Sequence, residues 1–311
     1  MNISTGFLLI IPHELVSLIL SLLDVSSIFS LGITAKSYNK CKTISLGFCR
    51  HSITTVQLDA INEGHTNLFK WLISHNEVPC NTTSDFMEEA IIYNRLDILK
   101  YLYENGYSWC TYACDYAAEN GHLEILKYLH ENKCDWDEYA YYYAAANDHL
   151  EIVKYLNENK CPWDETAYYG ASANGHLEII KYLHENGCPW NEWWSDNEIC
   201  YYAASNNHLE VLKYLHENGC LWDEDSCKVA VENGHLEILK YLHENGCPWN
   251  RNVFHGIYSD ENVDEDIDEN DRLEIIKYLH ENGCPYYVTI SASVIFNDRP
   301  KILEYLRTKV M

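Results

Sequence analysis

The chain is short of positive charge. It has 22 Lys and Arg against 47 Asp and Glu, a formal charge of −25 over 311 residues. Binding to nucleic acid needs a basic footprint, and anionic membrane surfaces attract polybasic segments, so neither is expected as a partner. No glycine-rich phosphate loop, Gly-x-Ser-x-Gly elbow, kinase motif or His-Glu-x-x-His pair occurs. A catalytic centre would also need residues that break the internal pattern described below, and none stands out. The expectation is a chain that is not an enzyme and holds no metal or cofactor. No strand-like alternation competes anywhere with helical periodicity. The one long apolar run, "FLLIIPHELVSLILSLL" (7–23), is interrupted by Pro12, His13 and Glu14, and no Lys or Arg precedes it. It is therefore read neither as a membrane span nor as a secretory signal, and the expected location is the cytoplasm.

What is present in excess is repetition. "HLEIIKYLHENGCPW" at 176–190 returns almost unchanged as "HLEILKYLHENGCPW" at 235–249. Aligned on the first residue, the copies start at His65, Arg95, His122, His149, His176, His208, His235, Arg272 and Arg299. The steps are 30, 27, 27, 27, 32, 27, 37 and 27, a period of 27 with three insertions. Such a period predicts a solenoid, in which each unit buries its apolar face only against its neighbours.

One unit can be read locally. In "HLEILKYLHEN", Leu123, Leu126 and Leu129 recur at helical spacing, and Ile125 and Tyr128 widen the stripe. Glu124, Lys127 and Glu131 form a narrow charged stripe. Asn-Gly or Asn-Lys then ends the helix, as at Asn186-Gly187 and Asn159-Lys160, because these residues tolerate the left-handed conformation. Pro162, Pro189, Pro248 and Pro285 block continuation. Next come Asp137, Asp164, Asn191, Asp223 and Asn250, good N-caps for a second kind of helix. Five residues before the start stands a small residue: Ala60, Ala90, Ala117, Ala144, Ala171, Ala203 and Ala230. The residue just before each start is Gly64, Asn94, Gly121, Asp148, Gly175, Asn207, Gly234, Asp271 or Asp298, all types that visit the left-handed region. Each unit therefore reads helix, tight turn, helix, loop.

Thirteen cysteines invite a disulfide reading. Eight of them (Cys80, Cys110, Cys134, Cys161, Cys188, Cys220, Cys247, Cys284) recur near the end of each copy. Equivalent positions in stacked units lie about 8–10 Å apart, beyond the roughly 7 Å a disulfide allows. Free, half-buried thiols are expected. Histidines eight apart, such as His122/His130, His176/His184, His208/His216 and His235/His243, are about 12 Å apart along a helix, too far to share a metal, and are read as turn and packing residues. Trp109, Trp136, Trp163, Trp190, Trp222 and Trp249 are read as caps on the hydrophobic layer between units, a ladder of binding aromatics being the alternative. The acidic segment Ser259–Asp271, "SDENVDEDIDEND", falls in the longest insertion. It lacks the glycine of a calcium loop, since Glu265 stands at the sixth position, and it is read as a solvated loop or a steering charge for a basic partner.

The first helices are rich in tyrosine but differ from copy to copy: Tyr112 and Tyr116; Tyr139, Tyr141, Tyr142 and Tyr143; Tyr168 and Tyr169; Tyr201 and Tyr202. Variation inside a constant frame is where a solenoid places specificity, and tyrosine is a common interface residue. Some of these rings pack between units; Tyr112, Tyr142, Tyr169 and Tyr201 are the candidates for a partner-binding face.

Two resemblances follow. "AAENGHLEILKYLHENG" and its sister copies resemble the second half of the ankyrin repeat over residues 56–311. The resemblance implies an all-α, ankyrin-like solenoid of about nine helix-turn-helix repeats that binds proteins. The period departs from the ankyrin length of 33, and the Thr-Pro-Leu-His opening is missing. The "CPWDE" junction resembles the short ankyrin-like repeats of giant DNA viruses of amoebae, which would put the protein in the host cytoplasm. Residues 7–45 contain "IPHELVSLILSLLDVSSIFSLGITAKSYNK" (11–40), which resembles an F-box, with Tyr38 near the position of the family's missing late Trp. That resemblance implies docking on a Skp1-type adaptor of a cullin ubiquitin ligase through Ile11, Pro12, Leu15, Ile19 and Leu22, with the repeats recruiting the target. The alternative is a plain binding scaffold whose N-terminal helices only cap the first repeat.

Overall fold

The computed structural model describes residues 57–75, 83–189, 198–249, 252–253, 268–284 and 299–309. The F-box-like segment, with Ile11, Pro12, Leu15, Ile19 and Leu22, lies outside these residues, as do Cys80, Trp190 and positions 259–267 of the acidic insertion. All regular structure among the described residues is helical, and the fold is an α-solenoid. The chain divides into two compact units, one of residues up to 113 with 127–129, the other of 114–126 with 130–311.

Nine second helices are present among the described residues, from Thr66–His75 to Pro300–Lys309. Eight of them begin one residue after the aligned start, as at Leu150–Glu158 and Leu177–Glu185. In each full copy the buried residues are the third, fourth and seventh after the start: Ile98, Leu99 and Leu102, then Ile125, Leu126 and Leu129, and so on to Ile275, Ile276 and Leu279, all at 0–2% exposure. Each such side chain contributes about 1.5–3 kcal/mol of burial. Leu123, expected in this stripe, is only half-buried. It opens the helix, before the chain has turned its apolar face inward. The Glu–Lys pairs three apart form on the wet face, for example Glu151–Lys154 and Glu178–Lys181 at 2.7 Å, and are too exposed to add much.

In the larger unit the first helices Tyr139–Ala146, Thr166–Asn174, Glu198–Ser205 and Glu224–Glu232 pack in succession, and each packs on the second helix that follows it. Gly170 lets two of them close up: a Cβ there would sit 2.8 Å from the carbonyl oxygen of Tyr142. The alanine column is fully buried, with Ala144, Ala171, Ala203 and Ala230 at 0%. In the smaller unit Thr83–Ile92 packs on Leu96–Glu104, which also meets Thr66–His75, and Phe69 meets Phe86 edge-on at 5.6 Å.

The turns follow from the residues before each start. At seven of the nine starts the amide of the start residue donates back to the carbonyl of the column alanine, as in His149 to Ala144 and His176 to Ala171, both 2.9 Å. The intervening residue is left-handed: Gly121 at φ 74°, Asp148 at 61°, Gly175 at 78° and Asn207 at 63°. This is the Schellman closure of a helix end. Asp271 departs from the expectation, because it lies inside the helix Glu269–Glu281. There Glu269 and Asp271 occupy the first turn, where carboxylates favour the helix dipole. Glu269 also accepts from the amide of Lys301 at 2.8 Å, at the N-terminus of the next helix. The tail of the acidic segment is thus structural, not a solvated loop.

Asp223 caps its helix as expected, accepting from the amides of Asp225 and Ser226. Asp137 and Asp164 accept from Tyr139 and Thr166 at 3.0 and 2.9 Å, one residue further ahead of the helix than a regular cap. The recurrent cysteines complete this corner. The thiols of Cys161, Cys188 and Cys247 donate to the carbonyls of Asp137, Asp164 and Asp223 at 3.3, 3.3 and 3.0 Å. The ten described cysteines are thiols, and nine are buried more deeply than expected. Burial pushes the Cys161 and Cys188 thiols up to about 12. The separation of about 8–10 Å holds between equivalent cysteines of neighbouring copies, not between two cysteines of one copy. Cys200 and Cys220 lie 3.4 Å apart, sulfur to sulfur.

Tyr141 and Tyr168 fill the position that Cys200 and Cys227 occupy in later copies, and both are fully buried. The Tyr168 hydroxyl donates to the carbonyl of Cys188 at 3.2 Å. The Tyr141 hydroxyl is buried with no hydrogen-bond partner. Replacing Tyr168 by Phe therefore costs about 1 kcal/mol, whereas Tyr141→Phe is neutral or stabilising. Urea unfolding midpoints of the two variants check the difference.

Candidate protein-binding face

The positions that repeat most strictly hold the copies together. The start residue reaches across to the preceding copy and donates to a carbonyl that the end of its first helix leaves unpaired. His149 Nε2 meets Glu119 O at 3.0 Å, His176 meets Ala146 O at 3.0 Å, His208 meets Ala173 O at 3.1 Å and His235 meets Ser205 O at 3.0 Å. A carbonyl only accepts, so Nε2 carries the proton. In the smaller unit Arg95 does the same for Ile61 O and Asn62 O. The imidazole lies over the left-handed turn, and a Cβ on Gly175 would come within 2.5 Å of His208 Nδ1. Burial lowers the pKa of His235, which keeps it neutral for this role.

The second histidine of each copy makes another joint. His130, His184, His243 and His280 meet the hydroxyls of Tyr155, Tyr214, Tyr278 and Tyr305 at 2.8–3.0 Å. The loop tryptophan stacks on that histidine: Trp136 on His130 at 3.9 Å, Trp222 on His216 at 3.8 Å and Trp249 on His243 at 3.7 Å, between ring centroids. The next copy's tyrosine stands edge-on to it, as Tyr155 does to Trp136. In the smaller unit Tyr103 takes the histidine's place under Trp109, at 4.1 Å. The described tryptophans are half-buried, as the capping reading expects.

The residues that vary lie on the remaining face of the first helices. In the larger unit that face carries, helix by helix, Asp115, Tyr116 and Glu119; Tyr139, Tyr142, Tyr143 and Ala146; Tyr169 and Ala173; Glu198, Tyr201, Tyr202 and Ser205; Asp225, Lys228 and Glu232. Three of the four tyrosines expected from the sequence, Tyr142, Tyr169 and Tyr201, occupy one register position and are half-buried. Tyr112 is 59% exposed but belongs to the smaller unit, and its register matches Tyr139, which is 53% exposed. Two tyrosines outside the chosen four link the rest. Tyr143 lies 5.3 Å from Tyr142, and Tyr202 lies 5.6 Å from Tyr169 and 5.8 Å from Tyr201.

Carboxylates flank these rings. Burial and then Glu119 and Asp115 raise the phenol of Tyr143; burial and then Glu232 raise that of Tyr201. Asp115 was not picked out in the sequence, because one Asp in a helical first turn looks like any other. It is only 8% exposed and makes no hydrogen bond or ion pair. Burial first, then Asp137, Glu119 and Glu138, push its pKa up to about 6. No group of His, Cys, Asp and Glu among the described residues is arranged to hold a metal ion.

A carboxyl whose pKa rises on folding favours the folded state most below its unfolded value of 3.8, and that contribution is lost as pH climbs through 6. Asp115→Asn should therefore stabilise the protein at pH 7.5, on the order of 2 kcal/mol. The gain should shrink through pH 6 and vanish below 3.8. Denaturant midpoints of both proteins across this range read it directly.

Comparison with known proteins agrees with this architecture. A family model of ankyrin repeats in three copies matches residues 115–192 and 171–253, and a second, of ankyrin repeats in many copies, matches 87–130. No curated protein matches the sequence. Among solved structures the chain is similar to the crystal structure of the human ASB11 ankyrin repeat domain, at 20% identity and a TM-score of 0.45, covering 53% of this chain and 85% of that one. Together the two family models span residues 87–253, more than half of the sequence, and the chain is an ankyrin-repeat protein.

Proposed function

We propose that the protein is a recruiting scaffold. Its first-helix face, centred on Tyr142, Tyr169 and Tyr201, holds a target protein, and residues 7–45 dock a Skp1-like adaptor of a cullin-type ubiquitin ligase. Ankyrin repeats indicate protein–protein interaction as the general role. The observation that carries the target half is the division of labour within each copy. Column alanines and apolar triads recur and are buried, and the His or Arg at most starts is half-buried in a joint, while the half-exposed first-helix face changes from copy to copy.

Support for the ligase half comes from the sequence alone: Ile11-Pro12 followed by Leu15, Ile19 and Leu22. The competing reading keeps the scaffold and makes that segment a cap on the first repeat. The period of 27 and the Cys-Pro-Trp junction support an origin among the short repeats of giant viruses and action in a host cytoplasm. No helix among the described residues is long and apolar enough to cross a membrane.

The two halves are tested separately on the full chain. Purified Skp1 should be retained by the wild type and lost on Leu15→Asp with Ile19→Asp. Absence of retention by the folded wild type would leave the cap reading in place. Tyr142→Ala with Tyr169→Ala should preserve the helical signal and weaken capture of the cellular target by about tenfold, as expected for paired interface tyrosines. Unchanged capture would remove the tyrosine face from the proposal.

A further inference from the structure

The first-helix face is an aromatic floor with uncompensated negative charge around it, and its chemistry selects a kind of partner. Across the larger unit its described residues present Asp115, Glu119, Glu198, Asp225 and Glu232 against one cation, Lys228, which is 3.4 Å from Glu232. The lysines of the second helices do not offset these charges, because Lys154, Lys181, Lys213, Lys240 and Lys277 are each 2.7 Å from a glutamate on their own helix. Between the acidic ends lie Tyr142, Tyr143, Tyr169, Tyr201 and Tyr202, in two groups with ring centroids 5.3–5.8 Å apart. Their faces offer the negative side of the ring quadrupole. Asp115 is the second observation. It is a residue with 92% of its surface buried, since its exposure is 8%, and its carboxylate makes no hydrogen bond or ion pair among the described residues. It stands among Glu119, Asp137 and Glu138, close to Tyr143 and to the thiols of Cys134 and Cys161. No positive group among the described residues offsets it. Burial strips most of the water from this side chain, and a cation arriving from outside would pair with it.

We propose that this face binds an extended, arginine-rich segment of a partner protein, with guanidinium groups lying on the tyrosine rings and pairing with Asp115, Glu119 and Glu198. The inference rests on the reading of the tyrosine face as a protein-binding surface and adds the chemistry of what it binds. Arginine is favoured over lysine because a planar guanidinium both stacks on a ring and pairs with a carboxylate in two-point fashion. Adjacent first helices lie about 8–10 Å apart, so the helices from Asp115 to Glu232 span roughly 32–40 Å, the reach of about 12 extended residues. The raised pKa of Asp115 adds a consequence: it gains a proton through pH 6 and the site weakens on acidification, with Glu119, Asp137, Glu138, Tyr143, Cys134 and Cys161 as the other titrating groups around it.

The chain's overall charge of −25 attracts any polycation, so the test must separate the site from the field. The probe is a fluorescent peptide of about 12 residues alternating Arg and Ser, titrated by anisotropy into the full chain at about 150 mM NaCl to screen long-range attraction. The variant Asp115→Asn/Glu119→Gln/Glu198→Gln should weaken binding about tenfold or more, whereas the charge-matched Glu151→Gln/Glu178→Gln/Glu210→Gln should change it by no more than about twofold. Tyr142→Leu/Tyr169→Leu, with net charge intact, should weaken binding about fivefold, and Tyr142→Phe/Tyr169→Phe should retain it, because the ring face does the binding. Urea midpoints confirm that each variant is folded. Equal weakening by the two charge triples, or no loss on Tyr→Leu, would overturn the proposal. So would equal affinity for a peptide with the arginines replaced by citrulline. Any of these results leaves the capture of the cellular target by Tyr142 and Tyr169 to be decided by its own experiment.

Discussion

A helix that stops leaves carbonyl groups without donors, and this chain supplies one of them from the next copy. His149, His176, His208 and His235 reach back to Glu119, Ala146, Ala173 and Ser205, and Arg95 serves Ile61 and Asn62. Several strict features of the repeat follow from that bond. The start must be a long or planar donor, hence His or Arg. The turn beneath it must be left-handed and, under His149 and His208, have no side chain, hence Gly121 and Gly175. The alanine whose carbonyl closes the turn must be small, because the helices on either side of it are in contact.

Because the joints use the strictly repeated residues, the others are left to vary. The buried triads, the His–Trp–Tyr stacks and the Cys thiol on the capping Asp carbonyl all act between or within copies. On the first-helix face the joints use only backbone carbonyls such as those of Glu119 and Ala146, and the tyrosine and carboxylate side chains are left outside the repeated contacts. At Asp115 the raised pKa means that its charged form opposes folding at neutral pH.

Much of this was legible in the sequence. Helix ends could be read from Asn-Gly, Gly-His and Ala because those residues act locally, through backbone conformations that depend on a few neighbours. The period located eight of nine second helices to the residue. What was not legible depends on which way a side chain points after packing. Tyr141 and Tyr142 are adjacent and chemically identical, yet the first is fully buried and the second half-exposed. The buried state of Asp115 and the pairing of Cys200 with Cys220 arise from elements brought together by the stack. The helical Asp271 was missed because the turn rule assumes a first helix before it.

The identity of the joints has a bearing on how such a chain changes over generations. An exchange between two copies of its gene that is out of register by one period joins a histidine from one copy to a carbonyl from another, and the bond that results is the same. Whole copies can be gained or lost without new side chains being needed at the seam, and each added copy brings a fresh set of face residues on which selection can act.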